Sequence, residues 1–155
     1  MAQLFSALRV LIISMTPVLE LRAAIPVGIH IEHLQPALVV ILSIIGNMIP
    51  VPFIIIFIRK IFAWMKKHSE FLGSIAERME RKADKHKETI DKYASLGLLI
   101  LVAIPLPGTG AWTGSLIAAM FDIKLKSAFW VILAGVAIAA TIVTLADLGI
   151  ISIFS

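Results

Sequence analysis

Two long hydrophobic runs stand out along the chain, one at residues 36–62 and the other at residues 127–153. A transmembrane helix needs about 20 consecutive apolar residues, because that length spans the hydrocarbon core of a bilayer. Both runs meet this length, so the pattern predicts one transmembrane helix in each. Across the chain, 59% of the residues are hydrophobic and 15% are charged, against about 45–50% and about 25% in soluble domains. These features predict an all-α integral membrane protein.

The hydrophobic segments that precede these two helices are broken. Residues 1–31 contain the stretch TPVLELRAAIPVG, and residues 93–121 contain the stretch PLPGTGAW. Within lipid, non-helical backbone is tolerated only where protein or water covers its unpaired polar groups. We therefore expect each segment to be a re-entrant helical hairpin whose tip faces a shared polar cavity. For residues 93–121, one kinked membrane span is the alternative.

The polar block at residues 63–92 has helical periodicity. Apolar residues recur every three or four positions from Leu72 to Tyr93, and this pattern predicts an amphipathic helix. Ten of the 14 Lys and Arg lie in residues 59–92, so the positive-inside rule places this segment in the cytoplasm. Anionic lipid head groups, another subunit and the protein's own surface are alternative partners for the helix.

The positions of two lysines favour the re-entrant interpretation of residues 93–121. If that segment re-enters, Lys124 and Lys126 lie on the cytoplasmic side, where the positive-inside rule favours them. If it crosses the membrane, both lysines lie outside. The hairpin interpretation is therefore the one that the charge pattern supports.

The two halves of the chain also resemble each other. The stretch LQPALVVILSI, from Leu34, aligns without gaps to LKSAFWVILAG, from Leu125. We predict two inverted-topology repeats, residues 1–62 and 93–155, joined by the cytoplasmic amphipathic helix. Each repeat consists of a broken helical hairpin followed by a transmembrane helix, an arrangement that recurs in secondary transporters.

Charged residues inside an apolar segment are expensive and suggest a function. Glu20 and Arg22 lie in the first broken stretch, between Pro17 and Pro26. Being two residues apart, they point the same way only if the chain is extended there. We predict that Glu20 takes up a coupling proton and that Arg22 holds a carboxylate or phosphate. A structural ion pair at the hairpin tip is the alternative.

The second broken stretch is predicted to bind an anionic group. Its prolines end the incoming helix and its glycines permit a sharp turn. Thr109 is expected to cap the outgoing helix, whose free N–H groups near Gly110 would face the cavity. Asn47 either lines the cavity or bonds to a neighbouring helix. The predicted site residues are Glu20, Arg22, Pro26, Asn47, Pro105, Pro107, Gly108, Thr109, Gly110 and Trp112.

Other chemistry is not indicated by the sequence. The chain has no cysteine, which excludes disulfides, thiol catalysis and cysteine metal sites. It has no nucleophile–base pair or phosphate-binding loop, so we predict that it is not an enzyme and that it uses no cofactor, metal or nucleic acid. A chain of 155 residues can hardly enclose a pathway alone. We expect a homodimer with Gly135 and Ala139 at the contact.

At ELRAAIPVGI and IPLPGTGAWTGSLIAAMF the sequence resembles the family of small multidrug export proteins, over most of its length. The family name implies drug export. A fainter likeness to the DedA superfamily implies two membrane-embedded hairpins in inverted repeat and transport of polyprenyl-phosphate lipids. That likeness places Glu20 and Arg22 at the first hairpin and residues 105–110 at the second. This sequence departs from that superfamily in lacking an arginine after the second-hairpin proline, where Gly110 and Trp112 stand.

The predicted function is a proton- or ion-coupled secondary transporter of a small amphipathic or anionic substrate. One alternative is a DedA-like flippase of polyprenyl-phosphate or other phospholipids, which a copurified lipid would indicate. A second is a non-transporting membrane scaffold, which would fail entirely if its cytoplasmic helix were deleted. The expected partners are the bilayer, a small-molecule or lipid substrate, protons or another ion, and a second copy of the chain. The expected location is the cell membrane, with several crossings and with residues 59–92 in the cytoplasm.

Overall fold

The computed structural model describes residues 2–68, 87–106 and 108–149, and within these ranges the chain is helical, without β-strands. The first half contains α1 (Ala2–Met15), α2 (Glu20–Pro26), a π-helical turn that continues α2 (Val27–Ile31), α3 (Pro36–Met48) and α4 (Pro50–His68). The second half contains α5 (Lys87–Ala103), α6 (Ala111–Met120) and α7 (Leu125–Asp147). The predicted amphipathic helix falls largely on residues 69–86, outside the described ranges.

In the part of the chain that the structure describes, two helical runs are long and apolar enough to cross a membrane. Pro36–Ile61 has 26 residues and α7 has 23, which at 1.5 Å per residue gives lengths of about 39 Å and about 34 Å. Many large apolar side chains are exposed on these helices, including Phe53, Phe57 and Trp130. Exposed apolar surface on this scale is expected where lipid rather than water covers a protein. The all-helical membrane class predicted from the sequence is thus supported.

The predicted helix at residues 36–62 has a local interruption. Pro36 begins α3, since the first helical position needs no N–H donor. The assignment as α-helix stops after Met48 and resumes at Pro50, with Ile49 still in right-handed helical conformation. The proline at position 50 has no N–H to donate to the carbonyl of Gly46, which loosens the helix at this point.

The same packing scheme recurs in the two halves. In the first half α1 packs on α3, and in the second half α5 packs on α7. Glycines allow the close approach in both cases. A Cβ added to Gly46 would lie 2.6 Å from the Leu11 carbonyl oxygen, and one added to Gly135 would lie 3.2 Å from the Leu99 carbonyl oxygen. Helices of the two halves also pack against each other, because α2 contacts α7 and α6 contacts α4.

The corner that leads into each long helix has the same backbone geometry. His33 and Asp122 each have a φ of 50°, an uncommon left-handed conformation for a residue other than glycine. Each is followed by a buried aliphatic residue, Leu34 or Ile123. This geometry pairs Leu34 with Ile123, two residues away from the predicted alignment of Leu34 with Leu125. The alignment of Leu34 with Leu125 rests on the similarity of aliphatic residues in the two sequences. The pairing of Leu34 with Ile123 rests on which residues are buried in the structure.

Polar contacts hold the ends of the long helices together. His30 Nε2 lies 2.9 Å from Asp147 Oδ2, which joins the segment before α3 to the end of α7. At the other end, Arg59 lies 3.4 Å from Asp122 Oδ1 and also donates to the Ile123 carbonyl oxygen, just before α7 begins. The run Pro36–Ile61 and α7 therefore point in opposite directions.

The loop before α3 is fastened to α1. Arg9 Nη1 donates to Glu32 Oε1 at 3.0 Å. Hydrogen bonds from Ser6 and then Arg9 lower the pKa of Glu32 from its usual value. This contact holds the loop against the first helix.

The structure corrects the predicted dimer contact. Gly135 packs against Val102 within the same chain, and Ala139 is 3% exposed. Both small residues serve the contact between helices of one chain, so they do not form a surface for a second copy.

Candidate functional site

The two breaks in the apolar helices meet each other. We call residues 16–19, between α1 and α2, the first tip, and residues 104–110, between α5 and α6, the second tip. Glu20 and Arg22 follow the first tip, and they contact Thr109 and Trp112 at the end of the second. These contacts, which we call the junction, join residues about 90 positions apart in sequence.

Glu20 places a carboxylate at the N-terminus of α6. The residue is 3% exposed, and its Oε1 accepts a hydrogen bond from the Trp112 backbone N–H at 3.2 Å. The first N–H groups of a helix have no partner within the helix, and its N-terminus favours negative charge. Gly110, which precedes α6, offers no capping side chain. The acid of the first half therefore caps a helix of the second half.

Gly110 is required by this arrangement. Its φ is −152° and its ψ is −161°, an extended conformation that any residue can adopt. A Cβ at this position, however, would overlap the carboxylate of Glu20. The absence of a side chain at Gly110 is what allows the carboxylate to reach the helix terminus.

Arg22 links the carboxylate to the second tip. Its Nη1 lies 3.8 Å from Glu20 Oε2, and its side chain is 17% exposed. Its Nη2 donates to the Thr109 carbonyl oxygen, to Thr109 Oγ1 at 3.1 Å and to the Ile104 carbonyl oxygen at 3.5 Å. One guanidinium group thus satisfies backbone oxygens that the break in the helix leaves without helical partners.

The structure corrects the expectation that the chain is extended around Glu20. Helix α2 begins at Glu20, whose φ of 48° is left-handed. A left-handed conformation costs a residue other than glycine about 1–3 kcal/mol and persists only where surrounding contacts impose it. This unusual start, rather than an extended strand, accompanies the approach of both charged side chains to the second tip.

Thr109 does not cap α6, contrary to the prediction. Its hydroxyl lies 2.7 Å from the Ile104 carbonyl oxygen and 2.8 Å from the Leu106 carbonyl oxygen. It also accepts from the Leu106 N–H at 3.2 Å. The threonine therefore stabilises the turn of the second tip itself. Gly108 has a φ of 83° there, a conformation that glycine adopts without strain.

Trp112 connects the junction to α1. Its indole Nε1–H donates to the Met15 carbonyl oxygen at 3.0 Å, which ties α6 to the end of α1. The carbonyl groups of Met15 and Ile104 were not predicted as site residues. The nearby prolines are the signal that could have suggested them, because a broken helix leaves carbonyl groups without donors.

Four further residues were predicted for the site: Pro26, Asn47, Pro105 and Pro107. Pro26 ends α2 and is half-buried, and Pro105 is half-buried in the second tip. Pro107 lies outside the described residues. Asn47 is fully buried in α3. None of the hydrogen bonds at the junction involves Asn47.

An open apolar cleft of about 430 Å³ lies between α5 and α6. Its lining residues are Tyr93, Ala94, Gly97, Leu98, Leu101, Ile117 and Phe121. Tyr93 and Phe121 are the first and last residues of the predicted second hairpin, residues 93–121. Because both line this cleft, the two ends of the hairpin lie at the same end of the molecule. Among the described residues, no cluster of three or more His, Asp or Glu side chains is placed to hold a metal ion.

The junction can respond chemically to a proton. An ionised Glu20 accepts from the Trp112 N–H and attracts Arg22, and both interactions weaken if the carboxyl becomes neutral. The position predicted for an anionic ligand, at the N-terminus of α6, is occupied by this carboxylate. An anionic group can therefore reach these N–H groups only when Glu20 has moved away.

Comparison with known proteins identifies a family. The profile of the family described as "Putative small multi-drug export protein" matches residues 20–142, a range that begins at Glu20 and includes both sides of the junction. No curated protein and no solved structure matches the chain. These comparisons do not show the likeness to the DedA superfamily, which stays a prediction.

Proposed function

Because the chain belongs to the family described as "Putative small multi-drug export protein", we propose that it is a proton-coupled secondary transporter that exports a small amphipathic molecule. The family and the two long apolar helices support a location in the membrane. The observation that carries the proposal is the junction. It is a buried acid–base pair that holds together two broken helices from opposite halves of the chain.

The proposed architecture is a pair of inverted repeats with two re-entrant hairpins. In support, the two long helical runs point in opposite directions, with Arg59 near Asp122 at one end and His30 near Asp147 at the other. The cleft shared by Tyr93 and Phe121 supports re-entry of the second hairpin. Broken helices that meet near the midplane between inverted repeats are a recurring design of secondary transporters.

Glu20 is the proposed coupling residue. When it is ionised, its carboxylate bonds to the Trp112 N–H and faces Arg22, so the two tips are held together. Protonation removes the charge that sustains both contacts, which favours separation of the tips and access to the pathway. Binding of a proton and movement of the tips are then linked events, as coupled transport requires.

The substrate is proposed to be amphipathic because the second hairpin has two different surfaces, an apolar cleft toward its ends and the polar junction at its tip. The apolar cleft between α5 and α6 suits a hydrophobic body. The junction offers Arg22 and the N–H groups of α6 to a polar group once Glu20 has released them. Pockets that bind small molecules typically combine an apolar lining with a few fixed polar groups.

Glu20→Gln is the variant that tests this function. Glutamine keeps the size of the side chain and can still accept from the Trp112 N–H, but it cannot exchange a proton. We expect at least a tenfold loss of proton-driven transport of an amphipathic anionic dye, 8-anilinonaphthalene-1-sulfonate, in inverted membrane vesicles, with the protein still folded. The matched control is Glu32→Gln, which alters an acid outside the junction and should leave transport near the wild-type rate.

Two outcomes would count against the proposal. Wild-type vesicles that move neither this anionic dye nor other amphipathic dyes in response to a pH gradient would remove the transport function. A Glu20→Gln variant that transports at the wild-type rate, with an unchanged release of protons, would remove Glu20 as the coupling group.

A further inference from the structure

A cluster of buried polar groups lies beside the junction without a structural explanation. Ser14, Ser43 and Asn47 are all 0% exposed. Ser14 Oγ donates to the Ser43 carbonyl oxygen. Within the described part of the chain, the Ser43 hydroxyl and both side-chain amide atoms of Asn47 have no hydrogen-bond partner. Buried polar groups without a partner are costly, so a bound ligand is an expected explanation.

The second half of the chain shows that the fold does not need these polar groups. The repeated corner geometry, which pairs His33 with Asp122, also pairs Gly46 with Gly135. In that register Ser43 corresponds to Ile132 and Asn47 to Val136. Both counterparts are apolar and 0% exposed. The same structural positions are therefore filled by aliphatic side chains in the other half.

The counterpart of Ser14 is apolar as well. A Cβ on Gly46 would lie 3.0 Å from the Ser14 Cβ, and a Cβ on Gly135 would lie 2.8 Å from the Val102 Cβ. Val102 is 1% exposed. All three members of the polar cluster thus replace buried aliphatic positions of the other half, which indicates a role other than packing.

Backbone oxygens next to Asn47 add to the cluster. Pro50 and Pro52 have no N–H, so the carbonyls of Gly46 and Met48 lack their usual helical donors. These two residues flank Asn47 in the sequence. Together with Asn47 Oδ1 and the Ser43 hydroxyl, they give a set of neutral, hard oxygen atoms. Neutral oxygens from side chains and interrupted helices coordinate Na⁺ in transporters, whereas divalent cations usually require carboxylates.

We propose that Asn47, Ser43 and the freed carbonyl of Gly46 form a binding site for a monovalent metal cation, sodium or potassium, next to the junction. Ser14 precedes Met15, whose carbonyl accepts from the Trp112 indole, and the Trp112 N–H donates to Glu20. The cluster is therefore connected to the Glu20 carboxylate through Met15 and Trp112. The NH₂ group of Asn47 is free to donate to a water that completes the coordination of the ion. The role of this cation as a coupling ion rests on the proposed transport function, but its binding does not.

The test is thermal unfolding of the purified full-length protein in detergent, titrated at constant ionic strength with sodium chloride, potassium chloride or choline chloride. A ligand that binds the folded state alone raises the unfolding temperature with its concentration. We expect a rise of several degrees with sodium or potassium and none with choline. Equal behaviour in all three salts, with or without a rise, would overturn the proposal.

Variants of the cluster locate the effect. Asn47→Val introduces the side chain found at the corresponding position of the second half, and Ser43→Ala removes one hydroxyl. Both should fold and lose the cation-dependent rise. Ser115→Ala is the control, because Ser115 is equally buried but donates to the Ala111 carbonyl oxygen at 2.6 Å. A rise that persists in both cluster variants would place the cation elsewhere and contradict the assignment.

The outcome is separable from that of the transport proposal. A cation-dependent rise in a protein that moves no dye would leave the binding site standing and remove the transport function. Normal proton-driven dye transport with no cation-dependent rise in the unfolding temperature would remove the cation site and leave the transport function standing.

Discussion

Replacing Arg22 with alanine is expected to destabilise the protein by about 3–5 kcal/mol, the range for removing one partner of a buried ion pair. Glu20, which is 3% exposed, would keep only the hydrogen bond from the Trp112 N–H. The carbonyl oxygens of Thr109 and Ile104 would also lose the guanidinium that serves them. The free energy of unfolding in mixed detergent micelles measures this loss, and dye transport should disappear with it.

The control for Arg22→Ala is Arg9→Ala. Arg9 also pairs with an acid, at 3.0 Å from Glu32, but its side chain is 68% exposed. Because the Arg9 guanidinium lies largely in solvent, its removal should cost much less than the removal of Arg22. When Glu20→Gln is already present, Arg22→Ala should cost less than in the wild type, because no buried charge remains unpaired. Equal losses for the two arginines, or an unchanged cost of Arg22→Ala when combined with Glu20→Gln, would contradict the account of the junction.

Replacing Gly110 with alanine should cost about 1–3 kcal/mol, as expected for overpacking, and should abolish transport. The backbone of Gly110 is extended, so alanine can adopt its conformation. The harm comes from the methyl group, which would occupy the space of the Glu20 carboxylate. Either the carboxylate leaves the N-terminus of α6 or α6 shifts away, and both break the junction.

A double variant separates this collision from a general effect of alanine. With Glu20→Ala in place, Gly110→Ala should cost much less, because the methyl group then finds empty space. Gly97→Ala is the single-site control for the unfolding free energy only, because Gly97 lines the apolar cleft. A Cβ at Gly97 meets no neighbouring atom, and alanine favours the helix by up to about 1 kcal/mol. Additive effects of Glu20→Ala and Gly110→Ala on the unfolding free energy would show that the two residues do not meet.

The contact between the two tips is the feature of the site that could be predicted from the sequence. Broken backbone in an apolar segment must be covered by protein or water, and two such breaks in one small chain can cover each other. The structure does bring Glu20, Arg22, Thr109 and Trp112 together. Their roles in transport stay predictions, as does the inverted repeat.

The partners within the junction could not be predicted in the same way. The N-terminus of α6 was expected to face a ligand, whereas it receives the carboxylate of Glu20. Sequence spacing also gave the wrong geometry for Glu20 and Arg22, because it assumed extended backbone rather than a left-handed residue at a helix start. Contacts across about 90 residues depend on how two hairpins dock, which local patterns do not encode.

The polar residues of α3 show a similar limit. Asn47 was recognised as an unusual polar residue in an apolar run, but Ser43 and Ser14 were not. Serine is common in membrane helices, where it often bonds to the preceding turn, so its presence alone carries little information. Only the comparison of buried positions between the two halves sets these residues apart.

Topology is the most direct test of the account, because re-entry of the second hairpin decides whether the tips can meet inside the membrane. The chain has no cysteine, so single cysteines at Gln35 and Lys124, both exposed, can be labelled in intact cells with an impermeant thiol reagent. Ile123 would be a poor position, since it is 2% exposed. We predict that Gln35→Cys is labelled from outside and Lys124→Cys is labelled only after the membrane is opened. Labelling of both positions from outside would mean that the second hairpin crosses the membrane, and it would contradict the inverted architecture.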